Sequence, residues 1–198
     1  ASVCSPSRAS LMTGCYSQRI GLAAGSRATV LRPADPIGLG PNEITIADLL
    51  KKQGYTTGLI GKWHIGDQPP FLPTKHGFDE YFGLPFSNDM GPDHWQEDFP
   101  PIPLMKGENA IEFGPDQTTL THRYTEECIS FIKKHKDKPF FLYFSHMYVH
   151  LPLFAPQEFL EKSQNGVYGA AVEIIDWSTG KILETLKELE LEDNTLVI

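Results

Sequence analysis

The sequence predicts an α/β fold, because short apolar segments of strand length alternate with amphipathic helical segments along the chain. Pro139 to Ser145 reads as a strand buried on both faces, and Tyr55 to Gly61 as a second strand. Thr118 to Lys134 carries Leu120, Tyr124, Cys128 and Ile132 at helical spacing. A chain of 198 residues is long enough for one sizeable core. It contains no internal repeat and no convincing linker, so residues 1–198 are expected to form part of a single domain.

The first predicted helix starts near Ser5, a suitable N-cap. Pro6 fits its first turn, where the missing N–H costs nothing, and Gly14 is a natural stop. A loop rich in glycine, proline and alanine follows, from Gly21 to Pro41. Thr45-Ile46-Ala47-Asp48 forms a capping box with Asp in place of Glu, opening a short helix that ends at Gly54. The strand Tyr55 to Gly61 then delivers Lys62 and His64 at its C-terminal end, where ligands bind in open α/β sheets. Asp67 to Gln117 has little periodicity apart from a short strand at Tyr81 to Leu84, and a connection of that length is usually functional. After Pro139 to Ser145, the apolar set Ala171, Ile174, Ile175, Ile182, Leu186 and Leu189 predicts a helix from Tyr168 to Leu189, with Gly180 as its weak point. Thr195 to Ile198 reads as the start of another strand, so both ends are expected to lie inside a larger domain.

Composition excludes some functions. The net charge of −8 argues against nucleic acid as a general partner. No apolar run approaches the roughly 20 residues of a membrane-spanning helix. Cys4, Cys15 and Cys128 are too few and too scattered for a disulfide framework or a tetrahedral zinc site.

The chemistry concentrates at a few positions. Cys4 lies at the positive end of the first helix, where unpaired N–H groups favour an anion, and Arg8 can turn its fork of donors toward the same place. The bland alternatives are a small buried cysteine and an arginine pairing with a surface carboxylate. Lys62 and His64 alternate along a strand end, which directs both side chains to one face with Trp63 pointing away, a compact anion clamp. A solvated lysine and a satisfied histidine are the competing description. Strand Pro139 to Ser145 runs out into His146-Met147-Tyr148-Val149-His150, again placing imidazoles at a sheet edge. Asp89, Asp93 and His94 fit no standard ligand spacing and are not read as a metal site; they are candidates for the rim of a substrate pocket.

Cys4-x-Pro6-Ser7-Arg8 followed by Ala9-Ser10-Leu11-Met12-Thr13-Gly14, Gly61-Lys62-Trp63-His64-Ile65-Gly66, and the stretch ending in His150-Leu151-Pro152 together resemble the ordered motifs of the type I, arylsulfatase-like sulfatases. The resemblance covers the whole chain. It implies an alkaline-phosphatase-like sandwich, with a central mixed and mostly parallel sheet and helices on both faces, truncated here at both ends. It implies a sulfuric ester hydrolase in which a formylglycine-generating enzyme converts Cys4 to formylglycine, whose hydrate attacks sulfur. Arg8 then holds the hydrate, Lys62 binds sulfate, His64 orients the hydrate, and His150 contacts sulfate and protonates the leaving alcohol. Ser87 matches a sulfate-contacting serine, and His146 is either structural or supporting. The family's calcium sits between an aspartate pair before the cysteine motif and an Asp-Asn pair after the strand near Thr195; of its ligands only the modified Cys4 belongs to this chain. The isolated chain is therefore expected to be inactive. The substrate class implied is a small-molecule or carbohydrate sulfate ester, with the alcohol pocket shaped between Trp95 and Phe113. Relatives are periplasmic, secreted or lysosomal, although the sequence has no Asn-x-Ser/Thr sequon. Two alternatives stay open: a phosphonate or phosphate ester hydrolase of the same superfamily, and a non-catalytic sulfatase-like domain.

Overall fold

The computed structural model describes residues 2–23, 30–92, 94 and 97–198. Asp93 and Trp95, named above for the pocket rim, lie outside the described residues. Five strands form one mixed sheet: β1 (Thr56–Gly61), β2 (Glu80–Gly83), β3 (Pro103–Lys106), β4 (Asn109–Phe113) and β5 (Phe140–Ser145), in the order β4-β3-β2-β1-β5. β1 pairs in parallel with β2 and β5, while the pairs β2–β3 and β3–β4 are antiparallel. The parallel character is thus confined to the strands that carry the site. The hairpin β3–β4 turns at Gly107 inside the stretch that showed no periodicity; its strands are too short for alternation to stand out.

Side chains alternate across this sheet, and two cores result. Leu59 and Tyr81 face one core with Ala9 and Met12 of helix α1 (Cys4–Thr13) and Ala47 of α2 (Ile46–Lys52). Ile60 and Phe82 face the other, against Leu120, Tyr124, Cys128 and Phe131 of α3 (Leu120–His135). Beyond α4 (Gln157–Lys162), the long helix α5 (Gly166–Glu188) packs on α3, where Thr125 and Ser178 share a 2.6 Å hydrogen bond between buried hydroxyls. Helices therefore cover both faces. Gly180 is accommodated within α5, with open space beside it.

Two sequence-based expectations need correction. β5 is only half-buried along Phe140–Phe144, because it is the edge of this five-stranded sheet. Thr195 has extended backbone angles, yet residues 195–198 pair with no strand among the described residues. The predicted capping box is present: Asp48 N–H donates to Thr45 Oγ1 at 3.1 Å, and Thr45 N–H donates to the Asp48 carboxylate at 2.9 Å.

Close backbone approach shapes the C-terminal end of the parallel strands. Gly61 has φ +110°, and a Cβ there would overlap the Ser145 carbonyl of β5. A Cβ on Gly83 would likewise overlap the Gly61 carbonyl. Only glycine fits at these two positions, and their contact draws together the loops that leave β1, β2 and β5.

Candidate active site

Helix α1 begins at Cys4 itself, preceded by the extended residue Val3. Ser5 is therefore not the N-cap. It is buried within the first turn, and its Oγ accepts the Leu31 N–H at 3.0 Å, tying the following loop to the helix start. Gly14 closes the helix in the left-handed conformation at φ 67°, as its position implied. The helix thus presents Cys4 at its N-terminus, over the C-terminal ends of β1 and β5.

Arg8, one turn along, faces the same side as Cys4. Its Nη1 donates to the Lys62 carbonyl at 2.7 Å and to Ser145 Oγ, and Ser145 Oγ donates to the same carbonyl at 2.8 Å. The guanidinium pins the helix to the ends of both strands. Ser145 was missed in the sequence; its register opposite Gly61 gives it this place.

Lys62 is 1% exposed, and its Nζ lies 3.4 Å from Cys4 Sγ and 2.8 Å from Ser87 Oγ. Burial pulls the lysine down from 10.5 to about 8, against the pull of the Cys4 sulfur and with some help from Arg8. Ser87 Oγ is in turn 3.2 Å from His150 Nε2. The Leu151 carbonyl, 2.6 Å from His150 Nδ1, can only accept, so neutral His150 carries its proton on Nδ1 and offers Nε2 as an acceptor. Lysine only donates. The chain of hydrogen bonds therefore runs from Lys62 N–H to Ser87 and from Ser87 O–H to His150.

His64 reaches the same sulfur by a different route from the one its sequence spacing implied. β1 ends at Gly61, and His64 adopts φ +62°, so Lys62 and His64 do not share the pleat of one strand. A left-handed non-glycine residue at a strand end is the kind of strain that clusters at functional sites. The Leu31 carbonyl, 2.9 Å from Nε2, fixes the proton there, and Nδ1 is left as a buried lone pair with no hydrogen-bond partner among the described residues. Burial lowers the pKa of His64 and keeps it neutral, and the ring interacts with Cys4. Trp63 points away into the core, as expected, donating to the Phe71 carbonyl at 2.8 Å and stacking on His76.

The electrostatic result is strong at Cys4. The His150 and His64 rings beside the sulfur, together with the charge of Lys62, outweigh burial and bring the thiol from 9.0 down to about 4. A negative group is the favoured occupant of this position. The remaining candidates fall elsewhere. Half-buried His146 packs against Phe144, and burial depresses it to about 4. Cys128 lies in the core of α3, and Cys15 Sγ donates to the Thr13 carbonyl at 3.5 Å. His122 packs on Trp177, and His135 bonds Glu80 at 2.7 Å.

Among the described residues, no group of three or more His, Cys, Asp or Glu side chains is placed to hold a metal ion. Calcium needs about six to eight oxygen ligands, and the neighbours of Cys4 are cations, imidazoles and one hydroxyl. These residues do not fit a calcium cage.

A two-faced α/β sheet whose strand ends gather a cysteine at a helix start, a buried lysine, a serine and two histidines carries the residue types of a hydrolase site. The family model for sulfatases matches residues 1–198, and the chain belongs to that family. It is 40% identical over 208 residues to human N-acetylgalactosamine-6-sulfatase, an alignment that takes in 98% of this chain and 40% of that protein. With human arylsulfatase A the identity is 35% over 215 residues, 100% of this chain and 42% of the relative. Among solved structures, Ps i-CgsB in complex with k-i-k-neocarrahexaose superposes with a TM-score of 0.79 at 30% identity, covering 97% of this chain and 46% of that one. The chain thus spans about two-fifths of the length of these curated relatives.

Proposed function

We propose that the protein carrying this chain hydrolyses sulfate monoesters through a formylglycine made from Cys4. The observation that carries the reading is the convergence of Lys62, Ser87, His64 and His150 on the sulfur that begins α1. A formylglycine-generating enzyme oxidises Cβ of Cys4 by two electrons, with dioxygen or another external oxidant as the acceptor, releases the sulfur as sulfide and leaves an aldehyde, which water hydrates to a geminal diol. One hydroxyl gives up its proton to solvent and attacks the sulfate sulfur while the ester S–O bond breaks, and protonated His150 gives its proton to the departing alcohol oxygen. Lys62, Ser87 and the helix N-terminus hold the sulfate oxygens. The second hydroxyl then loses its proton toward the lone pair of His64, the C–O bond to sulfate breaks, and the aldehyde returns with sulfate released. A plain serine or cysteine has no second hydroxyl and would stop at the covalent ester. Arg8 keeps the helix and both strand ends in register beneath this chemistry.

The names of the relatives support a sulfated sugar as substrate, since one is an N-acetylgalactosamine-6-sulfatase and Ps i-CgsB is in complex with a neocarrahexaose. Calcium is implied by the family, and no step above is assigned to it. The 198 residues by themselves are expected to turn over no sulfate ester, because the described residues supply no oxygen cage; calcium-dependent turnover by this chain alone would overturn that statement. For the whole protein, paired sulfate and phosphate monoesters of one alcohol decide the reading. Faster cleavage of the sulfate is expected. Faster cleavage of the phosphate points to a phosphate or phosphonate hydrolase, and inertness to both points to a non-catalytic domain.

A further inference from the structure

Ser87 and His150 leave the sheet from β2 and β5, which lie on opposite sides of β1. Two strand spacings, about 9–10 Å, separate those strands, yet Ser87 Oγ and the His150 ring stand 3.2 Å apart. Something must draw the two loops inward. Asn88, adjacent to Ser87 and 2% exposed, donates from Nδ2 to the Pro152 carbonyl at 3.0 Å, two residues beyond His150. The same Nδ2 donates to Gln117 Oε1 at 2.9 Å, and Gln117 Nε2 returns a bond to the Asn88 carbonyl at 3.0 Å. Tyr148, two residues before His150, donates its hydroxyl to the Gln117 carbonyl at 2.9 Å. The His150 loop is thus gripped on both sides, and the Ser87 loop is gripped by a reciprocal amide pair. Asn88 Oδ1 has no partner among the described residues, and the Nδ2 bonds orient that side chain.

We infer that Asn88 and Gln117 are positioning residues: their amide pair sets the spacing of Ser87 and His150 and holds the proton donor over the anion pocket. The inference rests on the sulfate-hydrolase reading above. Asn88 and Gln117 touch neither the sulfur nor the reacting oxygens, so their effect runs through His150. Proton donation matters most when the leaving alcohol is poor, and that supplies the discriminating measurement.

The test uses the full-length matured protein, with an alkyl sulfate and 4-nitrophenyl sulfate as probes. Asn88→Ala is expected to lower kcat about 10- to 100-fold on the alkyl ester and only a few-fold on the nitrophenyl ester, since misplacing a donor by about 1 Å can cost about 100-fold. Gln117→Glu keeps the Oε1 acceptor, deletes the bond to the Asn88 carbonyl, and should show the same asymmetry at smaller size. It serves where Asn88→Ala fails to fold. Equal loss on both esters, the signature of a smaller folded fraction, would overturn the clamp. A wild type inert to both esters would overturn the sulfatase reading instead. The crystal structure of the variant then decides the clamp: a His150 ring moved away from Ser87 Oγ supports it, and one that stays within hydrogen-bond distance overturns it.

Discussion

Lys62 is the place where this fold and its chemistry oppose each other. Its ammonium is 1% exposed, and burial drags its pKa from 10.5 to about 8. At about 1.4 kcal/mol for each tenfold change, that depression costs the folded state about 3 kcal/mol whenever the lysine is charged. The sign follows from proton counting: between about pH 8 and 10.5 the unfolded chain holds the proton that the folded chain has released, so stability rises with pH across that window. Below it the cost is fully present; above it the cost is gone. Replacing Lys62 by Met removes the buried charge and forfeits the hydrogen bond to Ser87, worth about 1 kcal/mol. The comparison belongs in a Cys4→Ser background, where no thiolate compensates the ammonium. There Lys62→Met should stabilise the protein by about 2 kcal/mol at pH 7, with the gain shrinking as pH rises and replaced by a loss of about 1 kcal/mol above about pH 10.5. Urea denaturation at a series of pH values measures it. A variant destabilised at pH 7, or a gain that ignores pH, would refute the reasoning.

Two further substitutions test the frame beneath the site. Gly61→Ala places a methyl group on the Ser145 carbonyl at a φ of +110°, and should cost about 3 kcal/mol or more in chemical denaturation, whereas a cost within about 0.5 kcal/mol would contradict the close approach. Thr45→Ala removes the capping box and the 2.9 Å bond to the His76 carbonyl; a loss of about 1–2 kcal/mol is expected, and an unchanged melting temperature would contradict it.

Much of the site was legible because its residues sit in short, punctuated segments. Cys4 and Arg8 share one helical turn, and Lys62 directly follows a strand that ends in glycine, so local rules suffice to bring these residues to one end of the sheet. The route to His64 was not legible: alternation along a strand was the wrong geometry, and the left-handed turn that aims the ring depends on the Leu31 carbonyl, some thirty residues away. Ser5 looked like a cap because caps favour serine. It is instead spent on the Leu31 N–H, a tertiary demand that no local pattern carries. Ser145, Asn88 and Gln117 were invisible for the same reason, since each acts by joining segments distant in sequence. The β3–β4 hairpin escaped because four- and five-residue strands are shorter than the window in which periodicity can be judged.

The central claim is that Cys4 is the precursor of the nucleophile, and mass spectrometry of the peptide that contains it, taken from protein made together with a formylglycine-generating enzyme, tests that claim most directly. Conversion of CH2SH to CHO predicts a loss of about 18 Da at Cys4 alone, with Cys15 and Cys128 unchanged. A Cys4 peptide of unmodified mass, in material where a control sulfatase is converted, would contradict the account.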